Sequence, residues 1–162
     1  MSSPPPLTPL AAAVLRVGRP ERVLQIGSGD GEPALFLARE FPTARVRGID
    51  ADPEAVTAAT QRVGLDPEGR VAFKVGGPRR LPYPEDHFDL VAALDARPSP
   101  AEVARVLRPG GHLVLAATRG GATGHGLSGW LLARGLRAHD FEEIAAEDAG
   151  AGSFVVLRLP AT

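Results

Sequence analysis

A chain of 162 residues with 44% hydrophobic and 23% charged residues has the size and composition of one globular domain, which excludes a disordered chain and a coiled coil. The 18 basic and 19 acidic residues nearly cancel, so the charge gives no sign of nucleic-acid binding, and the absence of cysteine excludes disulfides and thiolate chemistry. No apolar run approaches the roughly 20 residues of a membrane span and no signal-peptide pattern opens the chain, so we expect a cytoplasmic protein.

The first predicted elements alternate between strands and helices. Residues 1–6 form a Ser/Pro segment that we expect to be a disordered tail, and residues 7–162 are expected to form a single domain. A short helix is predicted over 7–17. Apolar runs and helical patterns then predict strands over 22–26 and 45–49 and helices over 32–41 and 53–63. Alternation of this kind is typical of a parallel sheet with helices packed on it.

The alternation continues and then changes near the end of the chain. The next predicted elements are strands over 71–75, 88–94 and 112–118, a helix over 100–107 and a turn over 108–111. A further helix is predicted over 128–137. The last two apolar runs, 141–147 and 154–159, are joined by a short connection that contains glycine, which is typical of a hairpin. We therefore expect the sheet to finish antiparallel.

A glycine-rich turn, Gly27-Ser28-Gly29-Asp30-Gly31, joins the first strand to the following helix. Glycine permits a sharp turn and lets a ligand approach backbone N–H groups at the positive end of a helix, so we expect the turn to accept a carboxylate or phosphate. A dinucleotide fingerprint would need glycine at Glu32, which disfavours a nicotinamide oxidoreductase. Asp50 ends the second strand, 19 residues after Gly31, where its carboxylate can accept from both ribose hydroxyls. The pattern predicts a nucleoside ligand.

Four segments resemble, in their order and spacing, the class I S-adenosylmethionine-dependent methyltransferases. They are residues 23–31, 48–53, 81–90 and 103–114. The resemblance implies an α/β, Rossmann-like three-layer sandwich. Its mostly parallel, seven-stranded sheet has the order 3-2-1-4-5-7-6, with the last strand antiparallel. The resemblance also implies S-adenosylmethionine as cofactor and S-adenosylhomocysteine as product.

The same resemblance implies which residues hold the cofactor. Those expected at its methionine end are Gln25, Gly27, Ser28, Gly29 and Gly31. Those expected at the ribose and the adenine are Asp50, Ala51, Gly77 and Pro78. Asp95, after the fourth strand, is expected to border the cofactor and is the candidate catalytic residue. At the position of Gln25 the family usually has an acidic residue, so the glutamine keeps the shape and loses the charge.

Two positions on the adenine side depart from the family pattern. Family members commonly place an acidic acceptor there, followed by a residue with a free backbone N–H. Gly77 has no acceptor side chain and Pro78 has no N–H. Each missing hydrogen bond costs about 0.5–1.5 kcal/mol, so the two weaken binding by about tenfold or somewhat more unless Arg79 or Arg80 substitutes.

The acceptor side of the predicted site is short. The connection 95–100 leaves no long loop to cover a substrate. Methyl transfer needs a base only when the acceptor must lose a proton, and Asp95, with Arg97 beside it, is the candidate, although such a pair is often only solvated. His125 is a weaker candidate in a glycine-rich loop. The spacing of the four histidines does not suit a metal, so we expect none.

Two hypotheses from different classes follow. The first is a methyltransferase that acts on an unidentified acceptor. The alternative is a binding or scaffold protein of the same fold with weak or no turnover, which Gly77, Pro78 and the short acceptor side motivate. A homodimer or a partner protein could complete the open substrate face.

Overall fold

The computed structural model describes residues 7–64, 68–119 and 127–161, so the tail predicted at 1–6 lies outside the described residues. The strands are β1 Arg22–Ile26, β2 Arg45–Asp50, β3 Val71–Val75, β4 Phe88–Leu94, β5 Leu107–Ala117, β6 Glu142–Ala149 and β7 Gly152–Arg158. The helices are α1 Thr8–Val14, α2 Glu32–Glu40, α3 Pro53–Val63, α4 Pro100–Val106 and α5 Leu127–Ala138. None of these helices, nor any other over the described ranges, is long and apolar enough to cross a membrane.

The seven strands form one sheet in the order β3-β2-β1-β4-β5-β7-β6. The strands β1 to β5 pair in parallel, whereas β7 runs antiparallel to both β5 and β6. This arrangement confirms the predicted fold class and strand order. It also brings the carboxyl ends of β3, β2, β1 and β4 to one edge of the sheet, where ligands bind in open α/β folds.

Helices cover both faces of the sheet because successive residues of each central strand point to opposite sides. On β1, Val23 belongs to the apolar cluster that packs α1 and α2, and Leu24 belongs to the cluster that packs α4 and α5. Both side chains are fully buried. A strand that is apolar on both faces requires a layer on each side, which produces the three-layer sandwich.

The helices after β2 and β4 begin at residues that cap them. The Asp52 carboxylate accepts from the Glu54 N–H at 3.0 Å at the start of α3, and the Ser99 hydroxyl accepts from the Glu102 N–H at 3.4 Å at the start of α4. Each helix has proline in its first turn, where the missing N–H has no intrahelical partner. These caps fix the helix starts beside the carboxyl edge of the sheet.

One predicted boundary is wrong. The turn predicted over 108–111 belongs to β5, which begins at Leu107 and not at His112. The segment stays paired because Phe88 is in register with Leu107, and the Gly110 N–H donates to the Leu159 carbonyl at 2.7 Å. A register shift between Phe88 and Leu90 accommodates the extra residues. The remaining boundaries lie within a few residues of the predicted ones.

Candidate functional site

The three glycines of the turn after β1 have different surroundings. All have positive φ: +82° at Gly27, +51° at Gly29 and +96° at Gly31. A Cβ at Gly27 would lie 2.6 Å from the Leu94 carbonyl oxygen, and one at Gly31 would lie 3.1 Å from the Ala59 Cβ. A Cβ at Gly29 would meet nothing within 4 Å. The first and third glycines therefore permit close packing, while the second faces open space.

The N–H groups of the glycine turn donate within the protein. Those of Gly27 and Ser28 donate to the Ile49 carbonyl, each at 3.0 Å. Three more bonds are Gly29 N–H to Asp50 Oδ2 at 3.0 Å, Gly31 N–H to the Ser28 carbonyl at 2.8 Å and Glu32 N–H to Asp30 Oδ1 at 3.1 Å. Four of the five N–H groups of residues 27–31 therefore already have a protein partner, and the expectation that the turn holds a carboxylate or phosphate stays a prediction.

Acidic side chains surround the same turn. Asp30 and Glu32 lie on it, and Asp50 lies opposite at the end of β2. The Arg62 guanidinium, from α3, is 3.2 Å from the Asp30 carboxylate and also pairs with Glu32. Arg39 pairs with Glu32 as well, at 3.1 Å, so among the described residues Asp50 is the carboxylate of the three without an ion pair, and its charge favours a neutral or cationic group beside it.

The Asp50 carboxylate faces the glycine turn. Its Oδ2 accepts from the Gly29 N–H at 3.0 Å and its Oδ1 accepts from the Asp52 N–H at 2.9 Å. A carboxylate oxygen has two acceptor positions, so each oxygen can still accept one hydrogen bond. The side chain is half-buried beside the exposed Ala51. This geometry leaves one acceptor position for each of two neighbouring hydroxyl groups, as in a ribose.

Two enclosed polar atoms lie on or beside the turn without a protein hydrogen-bond partner. The amide nitrogen of the fully buried Gln25 donates to the Ile26 and Gly27 carbonyls, at 2.8 and 3.2 Å, but its Oε1 has no partner. The hydroxyl of the buried Ser28 likewise has none. An unsatisfied buried polar group costs about 1–3 kcal/mol, and such groups often serve a binding site.

The structure places Gly77 and Pro78 just after β3. A Cβ at Gly77 would meet nothing within 4 Å. The Pro78 carbonyl accepts from the Ser99 N–H at 2.9 Å, while the Gly76 N–H donates to the Asp50 carbonyl at 3.0 Å. Neither Gly77 nor Pro78 has a side chain that can accept a hydrogen bond from a ligand, and Pro78 also has no N–H to donate.

Asp95 joins the ends of β4 and β5. Its carboxylate accepts from the N–H of Thr118 at 2.9 Å and from the Thr118 hydroxyl at 2.8 Å, and its own N–H donates to the Ala116 carbonyl at 2.9 Å. Its φ of +52° is a conformation that aspartate tolerates. No sequence pattern indicated the Thr118 partner. Arg97 is exposed, and His125 lies outside the described residues.

The chain resembles known methyltransferases in sequence. A methyltransferase domain family matches residues 23–111, more than half of the chain. The chain is 36% identical over 112 residues to a demethylmenaquinone methyltransferase of Deinococcus radiodurans, covering 65% of this chain and 46% of that protein. It is 38% identical over 117 residues to a 27-O-demethylrifamycin SV methyltransferase of Amycolatopsis mediterranei, covering 67% and 43%.

A solved structure has the same fold. The crystal structure of a SAM dependent methyltransferase from Aquifex aeolicus matches with a TM-score of 0.73 at 19% identity, covering 96% of this chain and 93% of that one. The chain spans less than half the length of the two curated relatives.

The unpartnered Ser28 hydroxyl leads to a stability prediction. Because Ser28→Ala breaks no protein hydrogen bond, the free energy of unfolding of the ligand-free protein should stay the same or rise by up to about 1 kcal/mol in urea denaturation. The control Ser99→Ala removes a helix cap and should lose about 1 kcal/mol. A loss in Ser28→Ala as large as in the control would mean that the hydroxyl stabilises the fold.

Proposed function

The chain belongs to the family of methyltransferase domains, and we propose that it binds S-adenosylmethionine along the carboxyl edge of β1, β2 and β3 and transfers the methyl group to a small-molecule acceptor near β4 and β5. The observation that carries the proposal is the Asp50 carboxylate, held against the glycine turn with one acceptor position left on each oxygen. The ribose would lie there, beside Ala51.

The residues present fit this cofactor on two further grounds. First, Gly29 and Gly77 both border open space, on either side of Asp50 along the sheet edge. An extended molecule can therefore lie across the edge, with its methionine end at Gly27, Gly29 and Gly31 and its adenine at Gly77 and Pro78. Second, the Gln25 Oε1 and the Ser28 hydroxyl lack a protein partner beside the proposed methionine end, and because both atoms are enclosed we expect them to bond the cofactor only when a side chain turns or a water enters.

Charge supports a sulfonium nucleoside over a nucleotide. A phosphate needs N–H donors or cations, but four of the five N–H groups of the turn donate within the protein and Arg62 already pairs with two carboxylates. S-Adenosylmethionine carries a positive sulfonium and a positive ammonium against one carboxylate, so its net charge is positive and the carboxylates around the turn would stabilise its cationic groups. When bound, it supplies a methyl group already activated for transfer.

On the acceptor side, the main role of the protein would be to hold the acceptor atom in line with the methyl group. Transfer of an activated methyl group depends mainly on proximity and alignment with the acceptor atom. Asp95 is the candidate to take a proton where the acceptor must lose one, since each of its oxygens keeps an acceptor position beyond its bond to Thr118. The Thr118 bonds would hold that carboxylate still, with Arg97 on the same connection.

The relatives guide the choice of acceptor class. Their names specify demethylmenaquinone and 27-O-demethylrifamycin SV, which are small molecules, and a small-molecule acceptor is proposed here on that ground. The comparisons give no support to the alternative of a scaffold protein without turnover. A second copy or a partner that completes the open substrate face, and a cytoplasmic location, stay predictions.

The role of Asp50 can be tested by titration calorimetry with S-adenosylhomocysteine. Asp50→Asn removes the charge and one acceptor oxygen, and charged hydrogen bonds contribute about 1.5–3 kcal/mol, so the Kd should rise by about 10- to 100-fold. Asp52→Asn is the matched control, because asparagine caps a helix as well as aspartate does, and its Kd should stay within about twofold. No binding by the wild-type protein at millimolar ligand, or equal binding by Asp50→Asn, would refute the proposed site.

The adenine side gives a gain-of-affinity prediction. Gly77→Asp combined with Pro78→Ala supplies an acceptor in open space and restores an N–H, and two hydrogen bonds of about 0.5–1.5 kcal/mol each should tighten S-adenosylhomocysteine binding by about tenfold. The control Gly18→Asp adds the same charge at an exposed glycine that is distant from Gly77 in the chain, and it should leave the Kd unchanged. An unchanged Kd in the double variant would indicate that the base does not lie beside Gly77.

A further inference from the structure

The segment that follows β3 has no regular structure of its own, yet it is held firmly. Residues 77–83, which we call the base segment, are bonded to α4 through two charged side chains. The Leu81 N–H donates to Glu102 Oε1 at 2.9 Å, and the Arg105 guanidinium donates to the Leu81 carbonyl at 3.0 Å and to the Tyr83 carbonyl at 2.8 Å. Two side chains of one helix therefore bond three backbone groups of a loop that has no strand partner.

The two side chains also pair with each other. Arg105 Nε lies 2.7 Å from Glu102 Oε2, and its Nη2 lies 3.2 Å from Oε1, which is a two-pronged contact. The exposed fraction of the side chain is only 31% for Arg105 and 20% for Glu102. The hydrogen bond from Arg105 holds the pKa of the Glu102 carboxyl below its usual range, so the pair stays ionised around neutral pH. Glu102 and Arg105 both also bond the base segment. Removal of either side chain therefore leaves polar atoms of the other, and of the segment, without one of their partners.

The start of the base segment is attached to β2 and to the beginning of α4. Before it, the Gly76 N–H donates to the Asp50 carbonyl at 3.0 Å. Within it, the Pro78 carbonyl accepts from the N–H of Ser99, the residue that caps α4. The segment thus lies between the strand that presents the Asp50 carboxylate and the helix that carries Glu102 and Arg105.

The residue types in the base segment make its exact position important for contact with an adenine. Gly77 and Pro78 offer an adenine no acceptor side chain, and Pro78 offers no N–H, so contact of the base with these two residues would depend mainly on van der Waals packing. Such packing is short-ranged, since a gap of about 0.5–1 Å already forfeits a quarter to a half of the attraction. A base that packs on such a surface is sensitive to any displacement of that surface.

We propose that Glu102 and Arg105 are positioning residues for the cofactor, because they fix the base segment where the adenine packs. The inference rests on the proposed function, since the segment has this role only if an adenosine-containing ligand binds beside it. Neither residue is assigned contact with the cofactor. Their effect is expected on the part of the affinity that the base contributes, and not on the ribose or methionine part.

The test compares a ligand that carries the adenine base with one that lacks it. S-Adenosylhomocysteine carries adenine, whereas S-ribosylhomocysteine has the same sulfur chain and ribose without it, and both are titrated calorimetrically up to millimolar concentration. In Arg105→Met the Kd of the adenine-containing ligand should rise by about 5- to 20-fold, while that of S-ribosylhomocysteine changes by less than about twofold. In Arg105→Lys, which keeps the charge and loses the planar fork, the rise should be smaller.

Two controls separate a positioning role from damage to the fold. Glu102→Gln keeps an acceptor for the Leu81 N–H, should fold normally, and should weaken only the adenine-containing ligand by about 2- to 5-fold. Arg16→Met breaks the exposed Arg16–Glu147 pair, far from the base segment in the chain, and should leave both Kd values unchanged.

The possible results of these titrations lead to three different conclusions. Selective weakening of S-adenosylhomocysteine in Arg105→Met and Glu102→Gln supports the inference. Equal weakening of both ligands, or unchanged binding of S-adenosylhomocysteine by the folded variants, overturns it and leaves the proposed function standing. A wild-type protein that binds neither ligand overturns the proposed function and this inference together.

Discussion

The Asp50 carboxylate is the interaction on which the site depends, because it holds two neighbouring connections at once. One oxygen fixes the glycine turn through Gly29 and the other fixes the approach to α3 through Asp52. The backbone carbonyl of the same residue receives the N–H of Gly76 and so secures the end of β3. One residue therefore sets the relative positions of three segments along the carboxyl edge. A ligand that bonds its remaining acceptor positions meets a surface that is already organised.

The hydrogen bonds of the turn also decide what kind of ligand can lie there. Parallel strands with a glycine turn can present N–H groups to phosphates, but here four of the five N–H groups of the turn donate to the protein's own acceptors, above all the Ile49 carbonyl. The donors are used to hold the turn against β2, and the carboxylates nearby give the surface a negative character. The unpaired Gln25 oxygen and Ser28 hydroxyl are the polar groups left over. Such a site suits a nucleoside with a cationic chain, which is what the family's cofactor is.

Much of the fold could be predicted from the sequence because the central strands are apolar on both faces and are separated by strong helix signals. β1, β3 and β4 have the predicted bounds. The start of β5 could not be predicted, because a Pro-Gly-Gly sequence normally indicates a turn and only pairing with residues distant in the chain, such as Leu159, keeps it in the sheet.

Within the site, the carboxylate at the end of β2 could be predicted from its spacing after the glycines. Glu102, Arg105 and Thr118 could not, because their partners are backbone groups or side chains about 20 residues away that no periodic pattern reveals.

The most direct test of the account is a crystal structure of the protein grown with S-adenosylhomocysteine. The account predicts both ribose hydroxyl oxygens at hydrogen-bond distance, about 2.5–3.0 Å, from the Asp50 carboxylate oxygens, with the adenine against residues 77–83. A ligand bound elsewhere, or a ribose that makes no contact with Asp50 while the glycine turn keeps its present hydrogen bonds, would contradict it.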